Sequence, residues 1–459
     1  MAKVLMLCHD QHLDRRVVAQ ARTLIDRGHS VRLMALAFGS DTEEETISEG
    51  IELTRIGLSH IVPENPTYCA YMARQYSLND ILNALCNSYP SAARYFHKGF
   101  KLGSRANWLA YRAFLLLRYR NRQLHDPLPF RYAFVSHGLK YRCDVVQVHD
   151  LPALQAGVEL ATTWRVPLIY DAHELYPEQH SLSKAQRNIC ARSESEHIKH
   201  ANLVFAVNES ISQEMAKRYQ IEPPIVLTNA INPPPDFEPE AHYDLLRKKL
   251  QLPASRRILL LQGGFAPNRN LNELVKAMAL VKVPDVDLVM MGFGDYGHKL
   301  QSTARRLRLI DKRVYFLPAV PQSELLQHSA SADMGIIPYP HVDLNSYYCT
   351  PNKLFEFIQA GLPIIANDSP ELRRFVDDQG FGLIHPMKSP HQIAQSIDKA
   401  FQHLPHADWR QQLIKKRHAF AWEAQAQAYL AAMQNIIDKA FVLSEKGESE
   451  QAQASAVRV

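Results

Sequence analysis

Lys353 and Glu356 stand three residues apart in the stretch NSYYCTPNKLFEFIQAGLPIIAND, residues 345–368. On a helix that spacing puts both side chains on one face. A helix start with a cation in its first turn suits a phosphate, because its free N–H groups point at the anion. A carboxylate one turn deeper can accept two hydrogen bonds from a ribose diol. The stretch carries the marks of such a helix. Thr350 is an N-cap candidate, and Pro351 fits the opening position. Gly361 takes the position after the last turn, with Pro363 just beyond it. Leu362–Ala366 is the apolar run of a buried parallel strand. The segment therefore proposes a nucleotide site, against the alternative of a solvated charge pair on an exposed face.

Other residues of the same kind lie elsewhere. Gly263-Gly264 lets backbone approach an anion closely, and Arg269 can supply charge to it. Asp144–Val148 reads as a buried strand ending in His149-Asp150, and Val166–Tyr170 as the next, ending in DAHELYPE with His173 and Glu174. Polar tips on successive strand ends are how an α/β protein builds a site at the carboxyl edge of its sheet, although a lone histidine is commonly structural. Asp14 reads as the N-cap of a helix. Asp285-Val286-Asp287 spells a metal-binding triplet, but it precedes a strand rather than following one and reads as a turn. No other cluster has metal-ligand spacing.

The elements that must position these residues alternate in type. Val4–Cys8 is a buried strand, a helix runs from Asp14 to about Arg27, Gly28 ends it, and His29–Leu36 is the next strand. The connecting loop lacks G-x-G-x-x-G, so dinucleotide binding is not indicated. Leu203–Val207 closes a first half, and the proline-rich Ile225–Asp236 reads as a linker. Ile258–Gln262, a helix from Leu271 to Val281 and Asp287–Met291 then repeat the opening plan. His406–Asp438 is a long amphipathic helical tract, and Ser444–Val459 reads as disordered. The expected fold class is α/β, with domains at 1–228 and 229–405, terminal helices over 406–443 and a tail over 444–459.

With 459 residues, two domains are the default. A composition 46% hydrophobic and 22% charged is that of a globular protein, and a formal charge of +5 does not argue for a nucleic-acid partner. Cys8, Cys69, Cys86, Cys143, Cys190 and Cys349 are scattered singly, which fits reduced thiols in a cytoplasm. No signal-peptide pattern or membrane span is evident. Residues 60–142 read as mostly helical. Within 100–122, Trp108, Tyr111, Phe114 and Leu115–Leu117 mix with Lys101, Arg105, Arg112, Arg118, Arg120 and Arg122. Such a segment either lies in a membrane interface or is a core helix whose arginines reach solvent.

PNKLFEFIQAGLPIIAND followed by Pro370-Glu371-Leu372 resembles the donor-binding signature of family 4 glycosyltransferases, which have the GT-B fold. HDQHLDRRV, VVQVHDLPAL and YDAHELYPE resemble further stretches of that family. The resemblance implies two facing Rossmann-like domains with an interdomain cleft and a C-terminal helix crossing back. It implies retaining transfer, of hexosyltransferase type, from a nucleotide-diphospho-sugar to an acceptor hydroxyl of a glycan or lipid-linked molecule, without metal or other cofactor, in polysaccharide or glycolipid assembly. Glu356 matches the ribose-binding Glu. Gly263, Gly264, Arg269, Asn352, Lys353 and Leu354 match the rest of the donor site, with Arg269 and Lys353 acting on the phosphates. His149 matches a position beside the reacting sugar, and Asp14, Arg16, His173 and Glu174 fall on the cleft and acceptor side. The chain departs from the pattern twice, with Tyr348 in place of the signature's first Glu and Gly264 in place of a phosphate-binding Arg. That departure motivates the rival reading of a non-catalytic nucleotide-sugar-binding scaffold. The basic helix motivates another, a membrane-surface adaptor. The site of action expected is cytoplasmic, with peripheral attachment to the inner face of a membrane as a further reading.

Overall fold

The computed structural model of the chain describes residues 1–47, 50–57, 66–89, 92–119, 127–403 and 406–438. Two compact units emerge. The first comprises Met1–Ala206, Met215–Ile225 and the chain from Tyr429 onward; the second comprises Val207–Glu214 and Val226–Ala428.

In the first sheet, β1 (Lys3–Cys8), β2 (Ser30–Leu36), β3 (Glu43–Ile47), β4 (Ile51–Ile56), β5 (Val145–His149), β6 (Leu168–Ala172), β7 (Leu203–Ala206) and β8 (Ile225–Val226) lie in the order β3-β4-β2-β1-β5-β6-β7-β8. β4, β2, β1, β5, β6 and β7 pair in parallel, and β3 pairs antiparallel to β4. Apolar runs such as KVLMLC and VVQVH suit strands covered on both faces. The β3–β4 hairpin has no counterpart in the sequence reading. Its first strand, EEETI, is almost wholly exposed and lacks alternation, so pairing with β4 alone makes it a strand.

Helix α1 (Arg15–Ile25) follows β1 and is capped by Asp14, whose Oδ1 accepts from the Arg16 amide at 2.8 Å. The segment expected to be helical contains α2 (Pro66–Ser88) and α3 (Ala93–Tyr119), which pack together. Tyr71 stacks on Tyr111 with centroids 4.8 Å apart, and Gln75 Nε2 donates to Ser104 Oγ at 2.7 Å.

The second sheet holds β9 (Arg257–Gly264), β10 (Val286–Phe293), β11 (Val314–Pro318), β12 (Met334–Ile337), β13 (Ile364–Ala366) and β14 (Gly382–Ile384), in the order β11-β10-β9-β12-β13-β14. Its pairings are parallel. Alternation divides the core. Leu259, Leu261, Leu288 and Met290 join the cluster on one face, and Ile258, Leu260, Val289 and Met291 join that on the other.

Three local expectations need correction. Thr350 is not an N-cap: Pro351 occupies that position, and the helix runs Asn352–Gln359 with no side-chain cap. Thr350 is instead held from the side, its Oγ1 accepting from Asn208 Nδ2 at 3.2 Å and its carbonyl from Asn229 Nδ2 at 3.1 Å. In the Asp-x-Asp triplet only Asp285 belongs to the turn. Asp287 is inside β10, and the two carboxylates take Arg257 and Arg256 as ion-pair partners. The tract from His406 is broken into a helix (His406–Lys416), a 3-10 turn (Arg417–Phe420) and a second helix over 422–438. The five described cysteines form no disulfides. The tail over 444–459 lies outside the described residues.

Candidate active site

In each sheet the strand order reverses beside the first strand of the unit, between β1 and β5 and between β9 and β12. Carboxyl ends flanking such a reversal splay apart and leave a crevice for a ligand. The polar residues singled out above gather at these two places.

In the second unit β9 ends in Gly263-Gly264. Gly263 has φ +106°, which a side chain rarely tolerates, and the Lys353 ammonium nitrogen lies 3.8 Å from where its Cβ would stand. Arg269 reaches the same turn: Nη1 donates to the Gly264 carbonyl at 3.3 Å and to Tyr339 Oη at 3.2 Å. Tyr339 follows β12, and its ring collects both cations, with Arg269 Cζ at 5.3 Å and Lys353 Nζ at 4.9 Å from the centroid. Asn367 Nδ2 donates to the Tyr339 carbonyl at 2.7 Å and so fixes the ring's backbone.

Lys353 and Glu356 are buried, at 5% and 7% exposure, which removes the reading of a solvated pair. Glu356 Oε2 accepts from Gln262 Nε2 at 2.6 Å, and Gln262 Oε1 accepts from Ser329 Oγ at 2.7 Å. Asn352 is exposed in the first turn. Leu354 is different: its side chain lies in the apolar core, so only its backbone is available to a ligand. Tyr348 is partly exposed, and its carbonyl accepts from Asn208 Nδ2 at 2.7 Å. Sequence reasoning missed Tyr339, Gln262 and Ser329 as parts of the site. Gln262 did carry a signal, as the polar residue in the apolar run ILLLQ.

In the first unit His149 ends β5, and Asp171 and His173 lie at the end of β6. Asp171 is fully buried; Oδ1 pairs with Arg16, and Oδ2 accepts from Gln20 Nε2 at 2.7 Å. Burial pulls the Arg16 guanidinium down to about 10, which still leaves it charged at neutral pH. Asp171 can only accept, so Gln20 must turn its amide nitrogen to it and offer Oε1 to Gln147 Nε2. Gln147 Oε1 then accepts from Tyr429 Oη at 2.9 Å, and the second proton on Gln147 Nε2 faces His149 Nε2 at 3.4 Å. His149 Nε2 is thereby an acceptor, and the proton of the neutral ring sits on Nδ1, 3.3 Å from His173 Nε2. His173 Nδ1 faces Asp150 Oδ2 at 3.7 Å, and its amide donates to Asp150 Oδ1 at 2.8 Å. Asp171 Oδ2 also lies 3.3 Å from His149 Nδ1 and 3.4 Å from His173 Nε2, so the network fixes the tautomer of His149 alone.

Burial, then His173 and Arg16, holds the His149 pKa well below the ordinary histidine value, and burial lowers that of His173 too. His149 is 1% exposed, whereas the His173 side chain keeps 12%. The group able to meet a substrate is therefore His173, with His149 behind it. Arg16 is likewise buried, at 2%, and Asp14 serves as the cap described above. Glu174 is engaged with Gln179 Nε2 at 2.6 Å, outside this network. Asp171, His149 and His173 would be the residues to hold a metal, since each offers an atom within 4.8 Å of the others. Asp171 is paired with Arg16 and Gln20, and its Oδ2 faces both imidazoles, at 3.3 Å from His149 Nδ1 and 3.4 Å from His173 Nε2.

Two Rossmann-like parallel sheets, each with polar groups gathered where its strand order reverses, define an α/β protein of the GT-B class. The chain belongs to the family 4, group 1 glycosyltransferases: residues 13–229 match the glycosyl transferase 4-like domain and residues 256–403 match the glycosyl transferases group 1 domain. It is a glycosyltransferase enzyme. It is 24% identical over 298 residues to the D-inositol 3-phosphate glycosyltransferase of Corynebacterium glutamicum, across 59% of this chain and 69% of that one. The enzyme of the same name from Streptosporangium roseum is 26% identical over 326 residues, 64% and 71% of the respective chains. Among solved structures, sucrose-phosphate synthase from Thermosynechococcus elongatus superposes with a TM-score of 0.67 at 16% identity, covering 96% of this chain and 100% of its own. Anabaena Alr3699/HepE in complex with UDP and glucose gives 0.61 at 15% identity, covering 95% and 100%.

Proposed function

We propose that the protein is a retaining, metal-independent hexosyltransferase that moves a sugar from a nucleotide-diphospho-sugar to a hydroxyl of a glycan or lipid-linked acceptor, in polysaccharide or glycolipid assembly. The observation that carries this reading is the convergence of Arg269 and Lys353 on the Gly263-Gly264 turn, with Glu356 one helical turn deeper. Cleavage of the sugar–phosphate bond leaves a diphosphate whose negative charge grows along the reaction. Two fixed cations and the uncapped start of the Asn352–Gln359 helix would stabilise that charge without reorganising, which is where electrostatic catalysis is strongest. Glu356, held by Gln262, would accept the ribose hydroxyls. Structures of HepE bound to UDP and UDP-glucose, and of a starch synthase from Arabidopsis bound to ADP, support a nucleotide-containing substrate.

On the acceptor side His173 would meet the substrate, and His149 would orient it through the Nδ1–Nε2 hydrogen bond. A thermal-shift screen with UDP, GDP and ADP, each with and without EDTA, tests the donor site. A ligand at about 100 times its Kd stabilises the fold by about 2.7 kcal/mol. One nucleotide standing out, indifferent to EDTA, is the expected result. A shift abolished by EDTA would overturn the metal-free reading, and no shift with any nucleotide would overturn the donor assignment itself.

A further inference from the structure

Helix α3 carries two stripes on its solvent side. Tyr95, Leu102 and Leu109 recur every seventh residue and are 72%, 73% and 52% exposed. Lys98, Arg105 and Arg112 recur at the same spacing, three residues on, and are exposed as well, with Lys101 beside them. Seven residues make nearly two turns of helix, so each set forms a row along the axis, and the offset of three lays the rows side by side. The opposite side of the helix is occupied by the fold. Tyr111 is buried on Tyr71, and Asn107 Nδ2 donates to the Tyr71 carbonyl at 3.0 Å. The sequence left open whether Tyr111 and Trp108 face an interface or a core. Tyr111 packs inside, and half-buried Trp108 lies under Arg112, whose Cζ is 4.6 Å from its ring centroid. The side chains of 114–122 lie outside the described residues.

We infer that this face docks on an anionic lipid surface, with Tyr95, Leu102 and Leu109 entering the headgroup region and the cationic row meeting lipid phosphates. The 27 residues of α3, ARYFHKGFKLGSRANWLAYRAFLLLRY, include no Asp or Glu, so nothing on the helix repels phosphate. An apolar ridge flanked by long cationic side chains is the geometry of a helix lying in the membrane plane, since the aliphatic stems cover apolar surface while the charged heads reach upward. Attachment of this kind needs no spanning segment, and no helix among the described residues is long and apolar enough to cross a membrane. The inference stands on the exposed face of α3 and is independent of the donor-site assignment.

Co-sedimentation of the full chain with phosphatidylcholine vesicles, with and without phosphatidylglycerol, tests it. Binding is expected only to the anionic vesicles and should weaken at high salt, because exposed charges are screened. Leu102→Ser with Leu109→Ser, and separately Lys98→Glu with Arg105→Glu, should each reduce the bound fraction at least tenfold. Both pairs are on the surface, so melting temperature and nucleotide affinity should stay those of the parent. Equal binding to neutral and anionic vesicles, binding unchanged in both variants, or no binding at all would each overturn the inference. Retention on a soluble acidic polymer without vesicle binding would do so too, pointing to an acidic protein partner.

Discussion

Glu356 and Gln262 share one short hydrogen bond, and its two ends are expected to respond differently to mutation. Glu356→Ala should raise donor KM at least tenfold in steady-state assays. It should also cost about 1–3 kcal/mol of stability in urea titration, because it leaves the Gln262 amide buried and unpaired. Glu356→Gln keeps the shape and should restore most of that stability while leaving KM high; a normal KM in either variant would remove the ribose assignment. At the other site His173→Ala should lower kcat by about 10²–10⁴ with donor KM little changed, as loss of a proton-handling group does. Because burial depresses the pKa of His173, the acidic limb of the kcat–pH profile should fall below pH 6.5. An acidic limb above that value would show the ring to be protonated more easily than its surroundings imply. Helix spacing put Lys353 and Glu356 on one face, and the family resemblance singled them out together with Arg269. The burial of His149 could not be read from sequence. A strand-end histidine looks the same in sequence whether its ring faces outward or is closed off by Gln20 and Gln147, residues that precede it by 129 and 2 positions in the chain.

Strand ends and helix starts set the proposed donor site, and the two glycines after β9 are not equivalent. Gly263 has φ +106°, while Gly264 has ordinary backbone and a Cβ there would meet only Arg269 Nη1, at 3.7 Å. Gly263→Ala should therefore destabilise the fold by about 1–3 kcal/mol and weaken nucleotide binding. Gly264→Ala should leave stability within about 0.5 kcal/mol, as for a substitution without a strained or buried feature. Equal melting temperatures for the two variants would contradict the strain at 263. Most strands were legible, because short apolar runs closed by polar tips have few other readings. The β3–β4 hairpin was not, since EEETI gains its conformation from its neighbour. Thr350 misled for a similar reason: its hydroxyl is taken by Asn208, more than 100 residues away in the chain, which local cap chemistry cannot reveal.

Across the whole molecule, titration of buried groups sets how stability varies with pH. Glu194 is buried between the hydroxyls of Tyr170 and Tyr219, and burial pushes its carboxyl up from 4.5 to about 7 although both hydrogen bonds pull the other way. A folded pKa above the unfolded one gives stability that is fully present below pH 4.5 and is lost as pH rises through 7, in all about 3 kcal/mol. His149 and His173 act oppositely. Their lowered values make stability fall as pH drops below 6.5, where the unfolded chain takes up protons. Urea unfolding of wild type and Glu194→Gln between pH 5 and 8 should show the variant's stability declining less steeply toward pH 8. Parallel curves would mean that Glu194 ionises normally in the folded state. The repeat of the opening strand–helix–strand plan made two α/β units legible. That the first unit reclaims the chain from Tyr429 came from the family resemblance, because amphipathic spacing by itself shows that a helix packs, not which sheet it serves.

The hydrogen bond from Tyr429 to Gln147 joins residues 282 positions apart. On a ribosome adding about 5–20 residues per second, that interval lasts on the order of tens of seconds. For most of it the strands around Gln147 are already made while its Tyr429 partner is not, and the second unit is being synthesised. The imidazole network therefore cannot close before residue 429 is made, and a message cut short between codons 226 and 428 yields a first unit in which Gln147 lacks the Tyr429 hydroxyl that holds it against His149.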